Sequence, residues 1–139
     1  MAPPVELLGT YLQLVRGAEV RRQPLVRDRV LVLAAVLSAQ MEGLTPIAEC
    51  CRERVLAHNR GHMLARWPTV AEARQHEDFQ SLVNQLAGRY GTERVEQLVA
   101  QLGLDDGPGR AAYASDGEYA AALLGADWED LQQRFGRGD

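Results

Sequence analysis

The longest apolar run of the chain covers residues 30–37, within a segment that opens at Pro24 and closes near Gly43. An α-helix places consecutive side chains about 100° apart, so this run cannot lie on one face of a helix. We therefore predict a central helix over residues 24–42 that the rest of the chain covers on most sides. No segment shows the period-two alternation of a half-buried strand. The pattern predicts an all-α fold, a compact bundle of about five to seven helices around the buried central helix.

Periodicity and capping residues place the other helices of the bundle. Helices are predicted over residues 5–22, 46–58, 69–90 and 91–103. The third helix of the chain has Thr45 as its N-cap and Pro46 at its first position. Thr69 and Glu72 form a capping box for the fourth helix, which either runs on to residue 90 or breaks near residues 76–78.

The first helix has one narrow polar stripe and is apolar elsewhere. The stripe consists of Glu6, Gly9, Thr10, Gln13, Arg16 and Gly17. The apolar positions include Leu7, Tyr11 and Leu14. Because a surface helix usually has a wider polar face, this helix either lies between two neighbours of its own chain or contributes to a subunit interface. Of the two, we favour the subunit interface.

The segment over residues 104–117 has the composition of a linker, with Asp, Gly and Pro at residues 105–109. We expect a helical core over residues 1–103, then this linker, then an amphipathic C-terminal helix over residues 118–135. A split of that helix at residues 125–127 is left open. Its apolar stripe consists of Leu124, Trp128, Leu131 and Phe135. The stripe packs either on the same domain or on another chain.

Length and composition fit one soluble domain. The chain has 139 residues, of which 46% are hydrophobic and 24% charged, with a net charge of −4. This balance gives no general attraction to nucleic acid or to an anionic membrane. The start of the chain lacks the features of a secretory signal, and the apolar run is short of the ~20 residues of a membrane span. We expect a cytoplasmic protein that does not bind membranes.

All fifteen cationic side chains are arginine. This indicates a bacterial genome rich in G and C, so a cluster of arginines is by itself a weak indicator of phosphate binding. The absence of lysine excludes Schiff-base chemistry by lysine and the lysine of a phosphate-binding loop. Cys50 and Cys51 are adjacent, a poor geometry for a disulfide, and we interpret them as reduced thiols that pack inside the protein.

The richest polar constellation lies at the end of the third helix and in the connector after it. It consists of Arg54, His58, Asn59, Arg60, His62, Arg66 and Trp67. Guanidinium and imidazole groups suit a carboxylate or phosphate ligand, and an indole ring can stack on it. His58 and His62 have the spacing of two metal ligands on one helix face, but Gly61 indicates that the helix has ended. We therefore expect no metal site, and we expect His58 to interact with the last carbonyls of its helix.

A second group of basic residues surrounds the turn between the first two helices. It consists of Arg16, Arg21, Arg22, Arg27 and Arg29. Such a cluster is suited to contact phosphates. Glu19 and Asp28 dilute its charge, and no aromatic residues are interleaved with it. Binding of nucleic acid is therefore the weakest of the functional alternatives.

No motif specifies a reaction, a catalytic residue or a cofactor, and the sequence favours a protein that is not an enzyme without deciding the question. The excess apolar surface predicts a small helical interaction protein that forms homo-oligomers or docks a protein partner. The candidate interface consists of Leu7, Tyr11, Leu14, Leu124, Trp128, Leu131 and Phe135. The alternative is an anion- or metal-binding protein or enzyme with its site around His58, Arg60, His62 and Arg66.

Overall fold

The fold is described by a computed structural model that covers residues 4–103 and 109–136. These residues contain eight α-helices, two 3-10 helices and no strand, which confirms the all-α prediction. The α-helices are α1 (Pro4–Val20), α2 (Pro24–Ala39), α3 (Thr45–His58), α4 (Val70–Ala73), α5 (Glu77–Arg89), α6 (Thr92–Leu102), α7 (Asp116–Leu124) and α8 (Trp128–Phe135). The 3-10 helices cover Met63–Arg66 and Arg110–Ala112. None of the helices in the described ranges has the length and apolar character needed to cross a membrane.

Two predicted helices are broken, and this raises the number of helices above the expected range. The predicted fourth helix divides into α4 and α5, and the C-terminal helix divides into α7 and α8. At the second break Gly125 has a left-handed φ of 69°, and the side chain of Asp127 accepts a hydrogen bond from the Glu129 amide. Residues 104–108 of the predicted linker lie outside the described residues.

α2 lies at the centre of the molecule, as predicted. Its fully buried apolar residues are Val30, Leu31, Val32, Ala34 and Ala35. α1 and α3 pack along it, and α4 and α5 contact it as well. The helix begins at Pro24, where the missing amide hydrogen of proline costs no hydrogen bond within the helix. It ends at Ala39 rather than at the predicted residue 42.

α1 contacts α2, α6 and α7, so its wide apolar face is covered by its own chain. The predicted polar stripe of α1 is wrong at two positions, because Gly9 and Gly17 are buried. A Cβ atom at Gly9 would overlap the hydroxyl of Tyr119 in α7, and a Cβ atom at Gly17 would overlap the side chain of Leu102 in α6. The two glycines therefore allow α6 and α7 to approach α1 on the side that the sequence pattern assigns to solvent.

Of the two predicted N-caps, Thr69 is confirmed and Thr45 is wrong. The Thr69 hydroxyl accepts a hydrogen bond from the Glu72 amide at 3.1 Å, which confirms the cap at α4. Thr45 is not the N-cap of α3: it is the first helical residue, and the N-cap is Leu44. The reason is that the carbonyl of Leu44 already accepts hydrogen bonds from the amides of Ile47 and Ala48, at 3.0 and 3.2 Å.

A buried carboxyl group joins α3 to α4. Glu49 accepts a hydrogen bond at 2.8 Å from the amide of Val70, the first residue of α4. Burial raises the pKa of Glu49, and the hydrogen bond from Val70 and the charge of Arg52 oppose this rise. Arg52 in turn donates a hydrogen bond to the carbonyl of Trp67 at 2.7 Å. Neighbouring residues of α3 thus hold the connector that leads into α4.

The close approach of α1 and α7 predicts that Gly9→Ala lowers the free energy of unfolding by roughly 1–3 kcal/mol, because the added methyl group displaces Tyr119. Gly88→Ala is the matched control, since Gly88 is exposed in α5 and no atom lies within 4 Å of its Cβ position. There alanine should raise the free energy of unfolding by about 0.5–1 kcal/mol through its helix propensity. Urea denaturation measures both changes, and stabilisation by both substitutions would contradict the close approach.

Arg22 follows α1 and has a left-handed φ of 56°. Its amide donates to the Glu19 carbonyl at 3.2 Å and the Gln23 amide donates to the Ala18 carbonyl at 2.8 Å, a helix-ending pattern that usually places glycine at this position. We expect Arg22→Gly to raise the free energy of unfolding by roughly 1 kcal/mol through relief of backbone strain. Arg22→Ala keeps the strain and should show no such gain in thermal denaturation. An equal gain in both variants would attribute it to the lost charge instead.

Candidate functional site

His58 pairs with a carboxylate of another helix. Its Nδ1 atom lies 2.5 Å from Oδ2 of Asp28, a buried residue near the start of α2. Asp28 also lies 3.4 Å from the guanidinium of Arg27. The expectation that His58 interacts with the last carbonyls of its own helix is therefore wrong, because a buried acidic group is within reach of the ring. This pair connects the end of α3 to the first turns of α2.

Asn59 and His62 stabilise the backbone of the connector after α3. The side-chain oxygen of Asn59 accepts a hydrogen bond from the Gly61 amide at 3.1 Å. The Nδ1 atom of His62 accepts one from the Leu64 amide, also at 3.1 Å, and so caps the 3-10 helix Met63–Arg66. Both side chains therefore have local structural partners.

Arg66 and Trp67 contact residues that flank the start of α5. Arg66 lies 3.4 Å from the carboxylate of Asp78, and both side chains are exposed. The Trp67 ring stacks on the ring of His76, with 4.9 Å between centroids. Arg60 is exposed. The residues of the predicted loop site thus have different partners, and the stacking face expected of Trp67 is occupied by His76.

The candidate interface residues pack within the chain. Tyr11, Leu14, Leu124 and Leu131 are buried, and Leu7, Trp128 and Phe135 are partly buried against the core. α2, α6 and α7 cover α1, while α8 packs on α3 and α7. The fold itself therefore uses most of the apolar surface that suggested self-association.

The arginines around the first interhelical turn lie in different environments. Arg27 forms ion pairs with Glu19 at 3.5 Å and with Asp28 at 3.4 Å. Arg16 lines a cleft of about 250 Å³ together with Arg54, the candidate from α3. Arg21 lines a different cleft from Arg16, so the members of the sequence cluster do not share one cleft.

A cleft of about 360 Å³ lies between the α1–α2 turn and the α5–α6 turn. Three arginines line it: Arg21 in the first turn, Arg89 at the end of α5 and Arg94 at the start of α6. The other lining residues are Leu14, Gln23, Val26, Tyr90, Leu98, Gln101 and Leu102. We call this feature the arginine cleft. Because Leu14 and Tyr90 are buried, the cleft combines charged groups with an apolar floor.

No aspartate or glutamate is among the described residues that line the arginine cleft. In the described part of the chain the ion-paired arginines are Arg27, Arg66, Arg110 and Arg134, and none of them belongs to the cleft. Guanidinium groups beside apolar walls produce a positive local potential that attracts anions. Arginine is the only cation this chain uses, so the informative feature is that three arginines share a cleft whose described lining residues include no acidic group, in a protein whose net charge is −4.

Arg89 and Arg94 are the residues that sequence reasoning missed. They flank the break between the predicted fourth and fifth helices, at Tyr90 and Gly91, and they belong to no motif. Contact between α6 and α1 brings this break close to the turn that carries Arg21. The sequence does show an arginine on each side of one helix break. It does not show that these arginines lie close to Arg21, which is about 70 residues away along the chain.

The cysteines and the possible metal ligands give less support to a functional site than the arginine cleft does. Cys50 and Cys51 are free and buried, as expected, and burial raises the pKa of both thiols, which disfavours the reactive thiolate. Residues 4–103 and 109–136 contain no group of three or more His, Cys, Asp and Glu side chains that could hold a metal ion.

The chain was also compared with known proteins. No protein-family model, no curated protein and no solved structure matches it. We therefore infer function from the residues of this chain alone.

His62 predicts a dependence of stability on pH. Burial lowers the pKa of His62 from its ordinary value of 6.5, and the charge of Asp28 opposes this effect only in part. The unfolded chain therefore binds a proton at this residue at a higher pH than the folded chain does. The contribution of His62 to stability is present above pH 6.5 and is lost as the pH falls below that value.

We expect His62→Asn to reduce the loss of stability on acidification. Asparagine does not titrate, and its side-chain oxygen can still accept the hydrogen bond from the Leu64 amide. Urea denaturation of both proteins at a series of pH values between neutrality and mild acidity measures the effect. If the free energy of unfolding falls by the same amount in the variant and in the natural protein, His62 is not the group responsible.

Proposed function

We propose that this protein binds a ligand that carries a carboxylate or phosphate group together with an apolar part, and that the arginine cleft holds this ligand. One observation carries the proposal: arginines from two turns line one cleft with an apolar floor, and none of the described lining residues is acidic. Like charges gathered in this way repel each other, and a bound anion would relieve the repulsion.

The chemistry of the lining defines the class of ligand. A guanidinium group can donate two parallel hydrogen bonds to a carboxylate or a phosphate. Arg21 stands in one turn and Arg89 and Arg94 flank the other, so donors are available from two sides. Leu14, Val26 and the other apolar lining residues suit a hydrocarbon portion. The cleft volume of about 360 Å³ falls within the range of roughly 300–1,000 Å³ typical of small-molecule sites.

Two alternatives have less support. In the loop around His58, the imidazole, indole and amide groups already have partners within the chain. For a single-stranded nucleic acid, exposed aromatic rings are needed to stack on the bases. The aromatic residue of the arginine cleft, Tyr90, is buried.

A thermal-shift experiment with matched probes tests the proposal. We expect octanoate and phenylphosphate to raise the melting temperature by several degrees, because a ligand at one hundred times its dissociation constant contributes about 2.7 kcal/mol of stability. Octanamide has a similar hydrocarbon chain but no charge, so it should have little effect. In the double variant Arg89→Gln/Arg94→Gln the shifts caused by the two anions should be largely lost.

The matched control is the double variant Arg60→Gln/Arg66→Gln, which removes two exposed arginines of the loop around His58. This variant should keep the anion-dependent shifts. If it loses them instead, the anion site lies in the loop. If no anion stabilises the natural protein, or if octanamide stabilises it as much as octanoate does, the proposed function is wrong.

A further inference from the structure

Two large apolar side chains that flank the α1–α2 turn are exposed next to the arginine cleft. Val20 is 74% exposed and Leu25 is 65% exposed, and in the described residues these are the large hydrophobic side chains left open to solvent. Arg21, Gln23 and Val26 line the cleft. Val20 directly precedes Arg21, and Leu25 directly precedes Val26. One short turn therefore supplies cationic and polar groups to the cleft and leaves apolar surface uncovered beside it.

We propose that the ligand of the arginine cleft is an acidic segment of a partner protein, and that apolar side chains of this segment cover Val20 and Leu25. This inference rests on the proposed function and names the class of its ligand. A small anion that fills the cleft would leave Val20 and Leu25 in water. A polypeptide segment can place carboxylates beside the arginines and continue across the turn, where burial of apolar surface adds to its affinity.

The turn that carries these residues is held in one conformation. The amides of Arg22 and Gln23 donate hydrogen bonds to the carbonyls of Glu19 and Ala18, which closes the end of α1. Arg22 is the non-glycine residue with a positive φ in the described ranges. A turn that is already ordered loses little conformational entropy when a partner binds, which favours recognition of an extended ligand.

Charge complementarity favours an acidic protein segment over an anionic lipid surface. The cleft arginines lie around a concave space, where a narrow polypeptide can enter and a flat membrane cannot. Next to Val20, the side chain of Glu19 is 44% exposed, and its carboxylate would face the lipid head groups if the turn inserted into a membrane. The same carboxylate can remain in solvent beside a polypeptide.

Selection of random dodecapeptides displayed on phage against the intact protein tests the inference. We expect the enriched peptides to combine Asp or Glu with large apolar residues. Synthetic versions of these peptides should bind the Arg89→Gln/Arg94→Gln variant and the Val20→Ser/Leu25→Ser variant more weakly, each on the order of tenfold. The Arg60→Gln/Arg66→Gln variant should bind them as the natural protein does. Fluorescence anisotropy of labelled peptides measures these affinities.

Octanoate binding separates this inference from the proposed function. The Val20→Ser/Leu25→Ser variant should lose much more affinity for the peptides than for octanoate, because the two side chains do not line the cleft. If the enriched peptides lack acidic residues, or bind this variant with undiminished affinity, the inference is overturned while octanoate binding still supports the proposed function.

Two further measurements can overturn the inference. Binding to phosphatidylglycerol vesicles that is abolished in the Val20→Ser/Leu25→Ser variant would assign the turn to a membrane surface. Self-association in light scattering that is abolished in the same variant would assign it to a second copy of this chain. We expect the natural protein and the variant to show the same vesicle binding and the same oligomeric state.

Discussion

The apolar circumference of α2 must be shielded from water on almost every side, and the other helices are arranged to do this. Full burial of a single Val or Leu side chain stabilises the fold by roughly 1.5–3 kcal/mol relative to its exposure, and α2 contains a continuous series of such residues. α1 and α3 provide most of the cover, and α4 and α5 add to it. Because α1 and α3 are held against α2, the helices that pack on them are positioned in turn.

The same requirement explains why the fold itself covers most of the apolar faces of α1 and α8. α1 is apolar on so much of its surface that α2 alone cannot cover it, and α6 and α7 complete the cover through close contacts at Gly17 and Gly9. α8 places Leu131 against the core and packs on α3. Excess apolar residues in a short chain can therefore reflect a second layer of the fold, and they do not by themselves indicate an interface.

The buried acidic groups of the described residues, Asp28 and Glu49, are paired with other segments of the chain, and this makes the arginine cleft distinctive. Asp28 pairs with His58 between α2 and α3, and Glu49 accepts a hydrogen bond from the first amide of α4. These contacts satisfy acidic groups that the fold buries. Arg21, Arg89 and Arg94 lie instead around a cleft whose described lining residues include no carboxylate, next to the two exposed apolar side chains that flank the α1–α2 turn. The chemistry that the fold leaves unsatisfied is the basis for the function we propose.

Local patterns left open the helix breaks that give α5 and α8, but they were sufficient to predict the all-α class, the burial of α2 and the cap at Thr69. These features depend on periodicity and on groups within a few residues of one another, so the sequence by itself determined them. The tertiary structure alone decided which sides of α1 are covered, that Gly9 and Gly17 are contact points, and that His58 meets Asp28. It also decided that Arg89 and Arg94 share a cleft with Arg21. These features depend on contacts between residues far apart along the chain, and no local pattern of hydrophobic and polar positions encodes which helix faces will meet.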